Sequence, residues 1–333
     1  MDARTAAKNV LSAVLEAVSG ERMLIISDFE KKDVADAFVS AAINLGLWVR
    51  WVQLEKPEGF RTNVPRFLQE LVVSNTPDII MNLMRGPAEE VAFRIQLIKL
   101  ETRKRLRLAH CPGVTLDMLT DGALALSLEE YKEMQELGMS LLAVLSNADT
   151  VHVTNPAGTD VTFSVRGRPF FTDVMLDWKE MKWINIPVGE ITVGPVENSL
   201  NGTLVADLAA GGIGPLPSPV TFKVKDGRVQ EIDSEDKPTK EKIANILSTD
   251  KMANVIGEFA IGINKKARIV KEFLESEKVD KTVHFAFGNN EDFPGGKNTS
   301  SIHIDFLLSK PTVVVTYENG NEREIMKDGK LLV

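Results

Sequence analysis

The sequence of 333 residues predicts an α/β protein: an N-terminal parallel-sheet α/β domain over residues 1–148, then a mainly β (α+β) domain over residues 149–333. Two observations predict it. Through the first half, short apolar runs alternate with segments of helical period, and parallel strands need crossover connections of that kind. From Asp149 onward, short strand-like runs are separated by Gly, Pro, Asn and Asp, the punctuation of hairpins and turns.

The elements follow in order. MDARTAAKNVLSAVLEAVSG reads as an amphipathic helix ending at Gly20. Four strands are expected at MLIIS (Met23–Ser27), LWVRWVQL (Leu47–Leu54), DIIMNLM (Asp78–Met84) and RLRLAH (Arg105–His110). Helices between them are VADAFVSAAINLG, stopped by Gly46, then VPRFLQELVV and AEEVAFRIQLIKLETRKR. SLEEYKEMQELGMSLLAVLSNA closes this half, and Ser127 with Glu130 has the spacing of a capping box. The second half reads as strands TVHVT, DVTFSV, TLVAD and VTFKV, with turns such as Asp226-Gly227 and Asn319-Gly320. Helices are expected at Lys240–Leu247 and near Ala267–Glu277. GEFAIGIN, VHFAFGNN, SSIHIDFLL and a terminal hairpin complete the chain.

Composition bounds the function. Hydrophobic residues are 44% and charged residues 26%, which suits a sizeable core with little disorder. The net charge of −8 gives no basic face for a nucleic-acid partner. A single cysteine, Cys111, excludes an intrachain disulfide and favours a cytoplasmic location. The first residues lack the apolar stretch of a signal peptide, and no apolar run approaches a membrane span. The turn after the first strand, SDFEKKD, has no glycine to admit a pyrophosphate, and no GxxxxGK[ST] occurs. The α/β half is therefore expected to be structural or substrate-gating.

Chemistry concentrates in the second half. Of four histidines, His110, His152, His284 and His303, two lie in strand-like runs near the carboxy terminus. Alternation in VHFAFGNN puts His284, Ala286 and Gly288 on one face, so the imidazole faces small residues that leave room. In SSIHIDFLL it puts Ser301, His303 and Asp305 opposite Ile302, Ile304 and Phe306. Glu190 and Glu258 each follow a glycine at the start of an apolar run, and an unpaired buried carboxylate there demands compensation. Glu190, Glu258, His284, His303 and Asp305 together make a ligand set for one or two divalent metals. Taken singly, a strand histidine is more often a hydrogen-bonded structural residue, and spacing does not bring these five together.

The blocks VTNPAGTDVTFSVRGRPF, NIPVGEITVGPVENSLNGTLVAD, GEFAIGIN, VHFAFGNN and GGKNTSSIHIDFLL, in that order, resemble the thermophilic-type metallo-aminopeptidases, the aminopeptidase T and aminopeptidase S family. CPGVTLDMLTDGAL looks like that family's joining segment, and the likeness runs over roughly residues 105 to 310. It implies a metal-dependent hydrolase that removes amino-terminal residues from small peptides, with up to two Zn, Co or Mn ions per chain. It places the ligands on Glu190, Glu258, His284, His303 and Asp305 of a catalytic domain, with Glu258 or Glu190 moving the proton, and implies a homodimer. The family's tyrosine beyond the first histidine is replaced here: the region reads GNNEDFPGG, with Glu291 near that position. The resemblance extends to a ring-cleaving dioxygenase holding one Fe(II) by two histidines and a carboxylate, for which His284, His303 and Asp305 would serve. A metal-binding protein without catalysis is the third reading.

Overall fold

A computed structural model describes residues 1–74, 77–103, 106–179 and 182–333. Lys104 and Arg105, which end the third crossover helix and open the fourth strand in the sequence reading, lie outside the described residues. The chain forms two compact units, Met1–Glu133 with Asp173–Val188, and Met134–Thr172 with Gly189–Val333. The cut drawn from sequence falls at 148/149. The returning segment joins the first unit because its strand Trp183–Asn185 pairs in parallel with Arg107–His110.

The first unit is built on a five-stranded parallel sheet in the order Trp48–Leu54, Arg22–Asp28, Ile79–Leu83, Arg107–His110, Trp183–Asn185. Met23, Ile25 and Met81 are buried on one face, and Leu24, Ile26 and Ile80 on the other. Burial on both faces is why these strands read as continuous apolar runs rather than alternating ones. Helices Arg66–Ser74 and Val91–Glu101 supply Leu68, Leu71, Phe93 and Leu97 to the core with Leu24, Ile26 and Leu108. The capping box is formed as expected: the Ser127 amide donates to Glu130 and the Glu130 amide to Ser127 Oγ. The amino-terminal helix is shorter than expected and stops at Ala13, before the left-handed Glu16 at φ 48°.

Ligands of parallel-sheet folds sit at the carboxyl ends of the strands. Here that end of Arg22–Asp28 is filled from within. Asp28 receives the Arg61 guanidinium at 2.5 Å and the Arg85 amide at 2.7 Å, while Glu90 pairs with Arg85 and takes the Arg61 amide at 2.8 Å. Among the described residues no helix is long and apolar enough to cross a membrane.

The second unit contains two antiparallel sheets. One has eight strands, ordered Arg228–Ser234, Val220–Lys225, Asn201–Ala206, Asp160–Ser164, Ala148–Thr154, Thr312–Tyr317, Glu322–Lys327, Lys330–Leu331. The other has seven, ordered Gly214–Pro215, Ala209–Ala210, His303–Ser309, Thr282–Gly288, Ile256–Gly262, Glu190–Val193, Phe171–Thr172. Phenylalanines weld them: Phe163 of the first meets Phe259 and Phe285 of the second, and Phe222 meets Phe287 and Phe306. The helix expected near Ala267–Glu277 is only the turn Phe273–Ser276. Side chains hold the preceding segment in another shape: Asn264 Oδ1 accepts the Lys266 and Ala267 amides, and the Ser276 hydroxyl bonds both the amide and the carbonyl of Val270. Such local hydrogen bonds compete directly with helix.

Two buried titratable groups make the first unit sensitive to pH. Burial pushes Glu101 up to about 8, against one hydrogen bond from Asn82 Nδ2 at 2.7 Å. Burial, with Arg94 nearby, pushes His110 down to about 3. A carboxyl whose folded pKa is raised costs nothing while protonated in both states, and costs stability as pH climbs from about 4.5 through about 8. Glu101→Gln, which stays neutral, should therefore melt close to wild type at pH 5 and several degrees higher at pH 8.5. Equal melting differences at the two pH values, by calorimetry, would show that Glu101 does not titrate in this range.

Candidate metal centre

Register brings the five expected residues together. In antiparallel pairing, directly opposed residues share a face. Glu258 opposes Ala286, which opposes Asp305; Gly288 opposes His303; Gly262 opposes Glu190; and His284 is two residues from Ala286. All five side chains thus rise from one face of four neighbouring strands, with Ala260, Gly262, Ala286 and Gly288 as the floor. The phenylalanines of the same strands occupy the opposite face and anchor it in the core. Gly262 is required: a Cβ there would lie 2.2 Å from the Val279 carbonyl.

Glu258 is the centre of the group. Its carboxylate is buried, and its two oxygens face different imidazoles: Oε2 lies 3.0 Å from His303 Nε2 and Oε1 lies 3.7 Å from His284 Nε2. The Thr192 hydroxyl donates to Oε1 at 2.5 Å. Glu190 Oε2 lies 3.5 Å from His284 Nε2, and Asp305 Oδ1 lies 3.3 Å from His303 Nε2. Two triads result, Glu190–Glu258–His284 and Glu258–His303–Asp305, in each of which the donor atoms fall within 4.8 Å of one another. They share Glu258.

The donors fit divalent metals. Imidazole nitrogens and carboxylate oxygens are the ligands of Zn, Co, Mn and Fe. Burial opposes charging His284, yet the nearby carboxylate of Glu258, with Glu190 and Asp305 behind it, raises it to about 9. Against the same burial penalty, Asp305 and Glu258 hold His303 well above the usual histidine range. Burial would raise Glu258, but both imidazoles outweigh it and hold the carboxylate well below its ordinary range. His303 Nδ1 lies 2.7 Å from the Asn289 carbonyl, which orients Nε2 into the cluster. A backbone acceptor on the far nitrogen is the usual support of a ligating histidine.

Sequence reasoning missed several neighbours. Lys278 is 1% exposed and places Nζ 2.5 Å from Glu190 Oε1 and 2.9 Å from Glu277 Oε1. Its setting, LESEKVD, reads as a solvated helix end; nothing in the pattern marks a buried ammonium. Thr192 was hidden for the same reason, being a β-branched residue in a strand. SSIHIDFLL also enters differently: the strand starts at His303, and Ser301 is not part of it. The amide and hydroxyl of Ser301 and the hydroxyl of Ser300 all bond Asp250 Oδ2.

The segment between His284 and His303 is a tied loop. Asn290 and Asn298 are both fully buried; each bonds the other, and Asn298 Nδ2 also donates to the carbonyls of Gly288 and Met252. Asn290 Nδ2 and the Lys297 amide reach Glu197, which Arg168 pairs at 2.7 Å. Gly296 packs on Asn290, where a Cβ would lie 1.9 Å from the carbonyl. Glu291 is exposed and accepts from the Thr299 hydroxyl at 2.7 Å. Phe293 lies flat on His303, ring centroids 6.1 Å apart and planes 17° apart, with Phe171 against it at 5.5 Å. Asn298→Ala removes the side-chain donor to the Gly288 and Met252 carbonyls and should cost about 1–3 kcal/mol. Hydrogen exchange should then quicken over residues 289–302 first; uniform quickening would mean the loop is not a separate unit of stability.

No curated protein matches the chain. Among solved structures, AmpT, aminopeptidase T of Thermus thermophilus, aligns with TM-score 0.77 at 17% identity over 100% of this chain and 99% of that one. The 2,5-dihydroxypyridine dioxygenase of Pseudomonas putida KT2440 aligns with TM-score 0.74 at 16% identity, covering 99% and 97%. At such identities both likenesses concern the fold, an α/β parallel-sheet region followed by an antiparallel β region. The family model for thermophilic metalloproteases (M29) matches residues 127–331, and the chain belongs to that family.

Proposed function

We propose that this protein is a metal-dependent aminopeptidase, removing amino-terminal residues from small peptides at a centre held by Glu190, Glu258, His284, His303 and Asp305. The observation that carries this is the position of Glu258, one oxygen toward each histidine, so that a single carboxylate belongs to two ligand triads. Membership of a metalloprotease family supports a hydrolytic reaction at a divalent centre.

Bound dications supply Lewis acidity toward a scissile carbonyl and a water of lowered pKa. The rest falls to side chains. Thr192 and the buried surroundings keep Glu258 in one rotamer, so its oxygens stay aimed. Asn289 fixes the face His303 presents. Lys278 neutralises one oxygen of Glu190 and leaves the other directed at His284. Glu258 or Glu190 is the group to carry a proton between water and the leaving amine. A cytoplasmic homodimer is part of the same reading, and the buried Cys111 suits a reducing compartment.

The second reading is a mononuclear Fe(II) dioxygenase using His284, His303 and Asp305, favoured by the shared fold. Glu190 and Glu258 argue for the two-ion hydrolase, since a two-histidine, one-carboxylate site leaves them without a task. Protein loaded with Co or Zn should bind up to two ions per chain by elemental analysis and cleave aminoacyl amides, and chelation should abolish cleavage. Silence across a broad panel of aminoacyl amides would sink the aminopeptidase; oxygen uptake with Fe(II) and a dihydroxypyridine would install the dioxygenase. His303→Ala should lower metal content by more than tenfold in affinity while the melting temperature stays near wild type. Full metal occupancy in His303→Ala would refute the ligand set.

A further inference from the structure

The loop between Gly288 and His303 is more rigid than a connection needs to be. Two asparagines at 0% exposure and a glycine with no room for a side chain hold its ends and middle. Backbone bonds from the Phe293 amide to Asn290 and from the Gly296 amide to Phe293 close a turn around one residue. That residue is an aromatic left half-exposed. Phe293 does not enter the phenylalanine core between the two sheets. It stands beside His303, ring planes 17° apart, with the half-buried Phe171 tilted 62° against it at 5.5 Å between centroids. An apolar ring fixed beside a polar cluster, and open to solvent, invites an apolar partner.

The geometry points to Phe293 and Phe171 as the surface that takes the side chain of the substrate's first residue, and so as the determinant of a preference for apolar and aromatic residues there. This rests on the aminopeptidase reading. A peptide whose first carbonyl lies at the Glu258–His303 pair has its first side chain on the carbon next to that carbonyl. The Phe293 ring runs parallel to His303 with centroids 6.1 Å apart, so a group of that reach meets it. Phe171 widens the ring into a shelf, and edge-on and tilted aromatic contacts suit another ring as well as an aliphatic chain. The small floor residues Ala260 and Ala286 supply no comparable apolar contact, which leaves the aromatic pair to discriminate. A hydrophobic surface of this size separates leucine or phenylalanine from glycine by about tenfold to a hundredfold.

The test compares wild type with Phe293→Ala, Phe293→Leu and Phe171→Ala, all cobalt-loaded and checked for equal metal content. Two quantities are read: kcat/KM on leucine, phenylalanine and glycine amides, and calorimetric affinity for phenylalanine hydroxamate against glycine hydroxamate. Phe293→Ala should lower the phenylalanine-to-glycine ratio about tenfold in both, with glycine values little changed. Phe293→Leu should keep most of the ratio, and Phe171→Ala, which does not touch His303, should lose part of it. A ratio unchanged in Phe293→Ala and Phe171→Ala overturns the assignment, as does a uniform loss for all substrates at full metal content. If wild type cleaves no amide, yet its preference for the aromatic hydroxamate falls in Phe293→Ala, the aminopeptidase reading fails and the shelf stands.

Discussion

A carboxylate buried between two imidazoles is the constraint on which the second unit depends. Glu258 sits in the third position of a strand whose every residue is buried, where a lone charge would be costly. Three neighbours relieve it: the Thr192 hydroxyl and His303 by hydrogen bonds, and His284 by its charge at 3.7 Å. Each comes from a different strand, and each is delivered only if that strand holds its register. A slip of one residue in Thr282–Gly288 would send His284 into the phenylalanine layer and Phe285 into the site. Polar recognition on one face and aromatic packing on the other therefore enforce the same alignment.

The first unit treats its corresponding position differently. The ends of its parallel strands, where such folds hold ligands, are occupied by the Asp28, Arg61, Arg85 and Glu90 network, whose charges cancel internally. The glycine-free turn SDFEKKD agrees with that outcome: Asp28 and the short 3-10 turn after it leave no open cradle of amides. The strand ends of the parallel unit are thereby closed by ion pairs, and Glu101 and His110 lie buried beyond them.

Legibility from sequence followed physical range. Alternation within a strand is local, so the shared face of His303 and Asp305, and the small residues beside His284, could be read directly. Glu190 and Glu258 were conspicuous because a carboxylate in an apolar run needs a reason. Their convergence with residues as far away as position 303 was not readable, since it comes from strand order and register. Lys278 was invisible because an ammonium in LESEKVD looks solvated until Glu190 and Glu277 close around it. The helix expected over 267–277 had a helical pattern, and lost to the side-chain bonds of Asn264 and Ser276. That GNNEDFPGGKN is a built loop shows only in the burial of Asn290 and Asn298.

The sharing of Glu258 has a thermodynamic corollary. Two binding events that use one donor are linked, and linkage is reciprocal: whatever the first does to the affinity of the second, the second does equally to the first. The triads are therefore not two independent compartments placed side by side. Were ions held at both triads, one at His303 and Asp305 would draw on the carboxylate that His284 and Glu190 also face, while fixing its orientation for them. Charge would make the second occupancy harder and geometry would make it easier, and the balance would be struck at a single side chain.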